Sequence, residues 1–87
     1  MEIAWDEAKN DKLKAERGIS FEEVASELIA GRVLDVVQHP SRPGQRVFIV
    51  KIREHFVMAP FVFDDQGVFL KTAYISRKAR KKFGDKK

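Results

Sequence analysis

Ile19-Ser20-Phe21-Glu22-Glu23-Val24-Ala25-Ser26-Glu27-Leu28-Ile29-Ala30-Gly31 is the stretch that decides the fold. Ser20 and Glu23 stand three apart, the spacing of a capping box in which the hydroxyl accepts from the Glu23 amide and the carboxylate reaches back. Ile19 and Val24 flank it as a hydrophobic staple. Phe21, Val24, Ala25, Leu28 and Ile29 then recur at helical spacing and make one apolar face, so the segment reads as a helix laid on a sheet, ended by Gly31.

Upstream, Ile3–Trp5 reads as a short extended segment and Asp6 as the cap of a more polar helix over residues 7–17, closed by Gly18. Trp5 is the single tryptophan; plugging the core and stacking on a base are both open to it.

Downstream the texture is β. Short strands are expected at Arg32–Val37, Arg46–Arg53, residues 56–63 and Val68–Ile75, with a loop at 38–45 that holds two prolines and a glycine. Pro60 has no N–H for a ladder and therefore marks an edge or a bulge. Asp64-Asp65-Gln66-Gly67 reads as a hairpin turn, and Ser76 caps a short basic helix through Phe83. The expected architecture is a single α+β domain over residues 1–87. It has an antiparallel sheet of about four to five strands, two N-terminal helices on one face and a short C-terminal basic helix.

Charge is distributed unevenly. The formal net charge is +4, yet Lys71–Lys87 holds eight basic side chains against one acid, while the other seventy residues hold nine basic and twelve acidic. Such asymmetry draws polyanions to one surface, though a lysine-rich end also serves as a merely solvated tail. There is no cysteine, and two histidines at unrelated spacing do not make a zinc site. No glycine-rich phosphate loop or nucleophile elbow occurs, so no cofactor is expected and any catalysis rests on side chains. The amino terminus lacks a signal-type apolar segment and no apolar run approaches about 18 residues, which predicts a cytoplasmic chain with no membrane partner.

The chemistry-bearing residues gather towards the carboxyl end. Ser76, Arg77 and Lys78 fall at an expected helix start, where free amides favour an anion and Arg77 can grip a phosphate with two hydrogen bonds. Lys71 adds a charge, Tyr74 a stacking ring or weak acid, and Arg80, Lys81 and Lys82 guide a nucleic-acid backbone. Tyr74 can equally be core. His39, in the long loop, is a candidate proton shuttle for RNA cleavage, or a surface ring that caps a backbone group. His55, at a tight turn, and Glu54 beside it are weaker candidates.

Trp5-Asp6-Glu7-Ala8-Lys9-Asn10 and Arg17-Gly18-Ile19-Ser20-Phe21-Glu22-Glu23-Val24 resemble the BrnT family of bacterial type II toxins, which opens with W-D-x-x-K and continues H-G-(I/V)-(S/D)-F-E-E-A. Ile75-Ser76-Arg77-Lys78-Ala79 is similar to that family's I-S-A-R-x-A ending, and Arg17 stands where the family usually has histidine. The resemblance implies a RelE-like fold, a metal-independent endoribonuclease that inhibits translation, and a toxin–antitoxin complex with a cognate small, DNA-binding antitoxin. Matched position by position, it implies a role for Arg77 on the scissile phosphate. The residues themselves add Lys71 and Lys78 on phosphate, His39 or Tyr74 in proton transfer, and Ser76, Arg80, Lys81 and Lys82 holding the RNA. The alternative is a non-catalytic module whose basic end binds nucleic acid or an acidic partner; a third reading is a structural protein with no nucleic-acid role.

Overall fold

The capping box forms as its spacing demands. In the computed structural model, which describes residues 2–84, Ser20 Oγ accepts from Glu23 N at 3.1 Å and Glu23 Oε1 accepts from Ser20 N at 2.9 Å. They start α2, Phe21–Ile29. The preceding helix α1, Glu7–Arg17, is capped by Asp6 and ends on Gly18 at φ 68°, a left-handed position that suits glycine. The basic residues Lys86 and Lys87, expected with Asp85 as a solvated tail, lie outside the described residues.

The remaining elements are β1 (Glu2–Ala4), β2 (Asp35–Gln38), β3 (Arg46–Ile52), β4 (His55–Asp64), β5 (Gly67–Leu70), β6 (Tyr74–Ile75) and α3 (Arg77–Ala79), which runs on as a π-helical turn over Arg80–Gly84. The sheet is six-stranded in the order β1-β5-β4-β3-β2, with β6 also on β4. It is α+β as expected, but two features correct the reading of an antiparallel sheet of four to five strands. The three-residue β1 pairs parallel to β5, with Ile3 opposite Val68, so the sheet is mixed. The expected last strand divides into β5 and β6. Moreover, β2 begins only at Asp35, because Arg32 N is still bonded to Glu27 O at 2.9 Å and the chain has not yet left the helix end.

The helix pair covers one face. Leu13, Ile19, Phe21 and Val24 pack on Val50, Ile52, Val57, Ala59, Phe61, Val68 and Leu70 in one buried cluster, with Trp5 stacked on Phe21 at 5.7 Å. Trp5 is thus a core residue. At the junction of α1 and α2 sits Asn10, fully buried. Its Oδ1 accepts from Phe21 N at 2.8 Å and its Nδ2 donates to Glu22 Oε1 at 2.8 Å. Phe21 N lies in the first turn of α2 and has no partner within its own helix.

On the other face, Ile49, Phe56, Met58 and Val37 pack around Ala79 of α3 in a smaller cluster. The two faces alternate along β3 and β4 as a pleated sheet requires.

Pro60 explains why the last strand divides. It pairs with Val47 inside a central strand, so it is not at an edge. Its carbonyl accepts from Lys71 N at 2.8 Å, which places its ring nitrogen on the β5/β6 side of β4, where it cannot donate. Phe61 pairs with Leu70 and Met58 with Tyr74. β4 advances three residues between these pairs while its partner advances four, so the partner carries one extra residue opposite Pro60. This is the bulge that the proline foreshadows.

The β3–β4 turn is tight, with Ile52 opposite His55. Both turn residues, Arg53 (φ 46°) and Glu54 (φ 76°), take positive φ, as a two-residue hairpin of this hand demands. Arg53 is fastened there by the Glu23 carboxylate and the Gly18 carbonyl. The Glu54 side chain makes an exposed pairing with Lys51 at 3.7 Å, which contributes little, and its carbonyl, which accepts from Arg80 at 3.4 Å, survives substitution. Glu54→Gly is therefore expected to stabilise the domain by about 0.5–1 kcal/mol by removing left-handed strain. Chemical unfolding would register it as a higher midpoint. Arg53→Gly should move the midpoint the other way, since it loses both fastenings.

Candidate nucleic-acid interface

The bulge builds a cleft. In a regular strand Lys71 and Tyr74 would lie on opposite faces. With β5 ending at Leu70 and β6 starting at Tyr74, the intervening segment turns, and Lys71, Thr72 and Tyr74 all line one cavity of about 230 Å³ with Pro60 as part of its wall. The opposite wall is the 39–45 loop, through His39, Arg42 and Gln45; Lys9 of α1 completes the lining. Arg17 holds the segment in place by donating from its guanidinium to Ala73 O at 2.6 Å. Among the described residues no carboxylate lines the cleft, and three cations do.

The loop is ordered by its own histidine. His39 Nδ1 accepts from Ser41 N at 3.1 Å and from Arg42 N at 3.2 Å, and His39 N donates to Gln45 O at 3.0 Å. An Nδ1 that accepts two hydrogen bonds leaves the ring proton on Nε2, so the neutral imidazole is a donor at its free edge. The capping role considered for His39 is realised, and the same ring lines the cleft. Lys71 is steadied by its ammonium lying 5.6 Å from the Phe69 ring centroid. Tyr74 is half-buried in the cleft, opposite Met58 in the β4–β6 pair.

Arg77 lies elsewhere. Together with Lys78, Arg80 and Lys81 it lines a second, more open concavity along α3 and its π-helical continuation. Ser76 does not face a ligand: its hydroxyl accepts from Ala79 N at 3.1 Å and caps α3. The anion argument from the helix start is corrected here, because α3 is three residues long, Ser76 already occupies the Ala79 amide, and so short a helix has no useful dipole. Lys82 is exposed and lines neither concavity. His55 and Glu54 sit exposed at the β3–β4 turn and line neither, although the Glu54 carbonyl accepts from Arg80 of the outer concavity at 3.4 Å.

Of the residues singled out from sequence, the structure thus gathers Lys71, His39 and Tyr74 in one cleft and Arg77, Lys78, Arg80 and Lys81 in another. Lys9, Arg42, Gln45 and Thr72 are cleft members that sequence reading did not single out. Their only signal would have been the register shift opposite Pro60, which requires knowing which strands pair.

Tyr74 and Pro60 of the cleft and the residues of the outer concavity lie on the sheet face that bears α3, while Lys9 reaches the cleft from the helical layer. Tyr74 pairs with Met58, whose side chain belongs with Ile49, Phe56 and Ala79, and Pro60 follows Met58 on the same face. Carboxylates accumulate on the helical layer instead. Glu22 is held below the usual glutamate range chiefly by the Asn10 amide, with Lys14 adding attraction, and Glu27 is lowered by the two-pronged grip of Arg32 at 2.9 and 3.1 Å.

No protein-family model, curated protein or solved structure matches this chain. Among the described residues, no helix is long and apolar enough to cross a membrane.

Proposed function

We propose that this protein is a small RNA-directed ribonuclease of the toxin type, RelE-like in fold and action, with its site in the cleft between the 39–45 loop and the bulged segment 71–74. One observation carries the reading: a cavity with no carboxylate among its described lining residues gathers Lys9, Arg42 and Lys71 around an imidazole and a phenol, although acids outnumber bases over residues 1–70. Such a site attracts a phosphodiester and offers it both charge and proton carriers. The motif resemblance at Trp5–Val24 and Ile75–Ala79 supports the same reading.

The chemistry is the attack of a 2′-hydroxyl on the adjacent phosphorus, with departure of the 5′-oxygen. Lys71 and Arg42 would neutralise the charge that grows on the non-bridging oxygens. Tyr74 and His39 are the proton carriers within reach. Arg77, on the neighbouring concavity, would hold a flanking phosphate, with Lys78, Arg80 and Lys81 beside it. On this reading the chain works in the cytoplasm, and a cognate small antitoxin, DNA-binding and encoded alongside, restrains it by covering the cationic face.

A second reading, an RNA-binding module without catalysis, is favoured by one feature. His39 Nδ1 is committed to two backbone amides, so the ring acts as a base only by surrendering them or its Nε2 proton. A cleavage assay separates the two. End-labelled single-stranded RNA incubated with the purified chain in the presence of a chelator is expected to yield products ending in a 2′,3′-cyclic phosphate. Lys71→Ala should slow this about 100-fold, the scale of losing one charge-stabilising donor. Salt-sensitive binding with intact RNA at the end of the incubation would decide for the second reading.

A further inference from the structure

Tyr74 of the inner cleft and the α3 residues of the outer concavity share one face of the sheet. Tyr74 lines the cleft and Arg77 opens the outer concavity, and they are three residues apart, so their Cα atoms are at most about 11 Å apart. A stacked strand covers that distance with about three nucleotides at about 3.4 Å each. On that face the residue between them is Ser76, which carries no charge and whose hydroxyl is occupied by its cap. That bridge suits a sugar or base, with phosphates falling to either side.

The inner cleft differs in kind from the outer one. Its volume of about 230 Å³ is below the roughly 300–1,000 Å³ of sites that enclose a drug-sized ligand. It takes one flat ring and excludes a base pair. Tyr74 is half-buried at its wall, so only a base free of its complement can reach that ring.

We infer, resting on the reading of this face as an RNA site, that the concavities form one continuous track for single-stranded RNA. One unpaired base enters the cleft and stacks on Tyr74, with its phosphate on Lys71 and Arg42. The strand then crosses Ser76, and its next phosphates settle on Arg77, Lys78, Arg80 and Lys81. The track therefore selects single strands over duplexes and needs a minimum length before its outer half contributes.

Fluorescence anisotropy with labelled oligouridylates, from a trinucleotide to a dodecanucleotide, and with an RNA hairpin of equal phosphate number tests this. Affinity is expected to climb steeply until the strand is long enough to bridge the concavities and only slowly thereafter. Lys78→Ala combined with Lys81→Ala should cost about tenfold for the dodecanucleotide and nothing for the trinucleotide, at a salt slope shallower by about 1.4 for the long strand alone. Tyr74→Leu should cost about tenfold at every length, the scale of one lost base stack, and Tyr74→Phe should restore it. The hairpin should bind at least tenfold more weakly and be indifferent to Tyr74→Leu. Equal losses at every length for the lysine pair, or equal affinity for hairpin and single strand, would overturn the track while leaving an RNA-binding face. Absence of binding to every RNA would overturn both.

Discussion

The Asn10→Leu variant is expected to unfold about 10–20 °C below the parent protein. Leucine keeps the branching of asparagine and buries more apolar surface, yet it leaves Phe21 N–H in the core with nothing to donate to. An orphaned buried donor costs about 1–3 kcal/mol, and the amide that Glu22 accepts from is lost as well. A net loss of about 2–3 kcal/mol translates to roughly 4–8 °C per kcal/mol in a domain of this size. Far-ultraviolet circular dichroism on heating reads it directly. The deficit should also depend on pH with a definite sign. Glu22 has its folded-state pKa lowered, mainly by Asn10, so this stabilisation is complete above the ordinary glutamate range and disappears as pH falls through the lowered folded value. The gap between parent and variant should therefore narrow in acid. A gap that stays constant on acidification would mean the Asn10–Glu22 contact adds nothing.

Arg42→Ala combined with Lys71→Ala is expected to weaken binding of single-stranded RNA about 100-fold at moderate salt, with little change in thermal stability. Both side chains are exposed, and Lys71 forgoes only its contact with the face of Phe69. The backbone amide of Arg42 keeps its bond to His39, so the loop should hold its shape. Charge-assisted hydrogen bonds contribute about 1.5–3 kcal/mol each, so two lost phosphate contacts account for the factor. The slope of log affinity against log salt should become shallower by about 1.4. Lys14→Ala with Arg32→Ala removes the same net charge from the helical layer, where both cations are paired with glutamates, and should change affinity only slightly. If the two double variants weaken RNA binding equally, net charge and not the cleft governs recognition.

Much of the architecture is legible in the residues because local chemistry decides it. The Ser20–Glu23 box, the α2 stripe, the caps at Asp6 and Gly18 and the turn at Asp64–Gly67 each depend on neighbours within four positions. Features set by distant pairing were less accessible. β1 has three residues, too few for a period, and nothing local says that it joins β5 in parallel. Asn10 did leave a trace: it precedes Leu13 by three positions on the buried stripe of α1, where a polar residue needs partners, but those partners belong to α2. The site shows the same division. Cationic and ring-bearing residues could be named from type and position, whereas their partition into an inner cleft and an outer concavity follows from a bulge that exists only relative to β4.

That bulge has a consequence for how such a site can arise. The 71–73 segment exceeds its partner by a single residue, opposite the one position of β4 whose nitrogen asks for no hydrogen bond. Removing any one of those three residues would equalise the two paths and let β5 and β6 merge into one regular strand, sealing the recess without altering the paired residues on either side. Read in the opposite direction, a closed ladder bordered by a proline is one inserted codon away from an opening. In a sheet this small, a binding cavity is thus a counting difference between two strands, reachable in one genetic step.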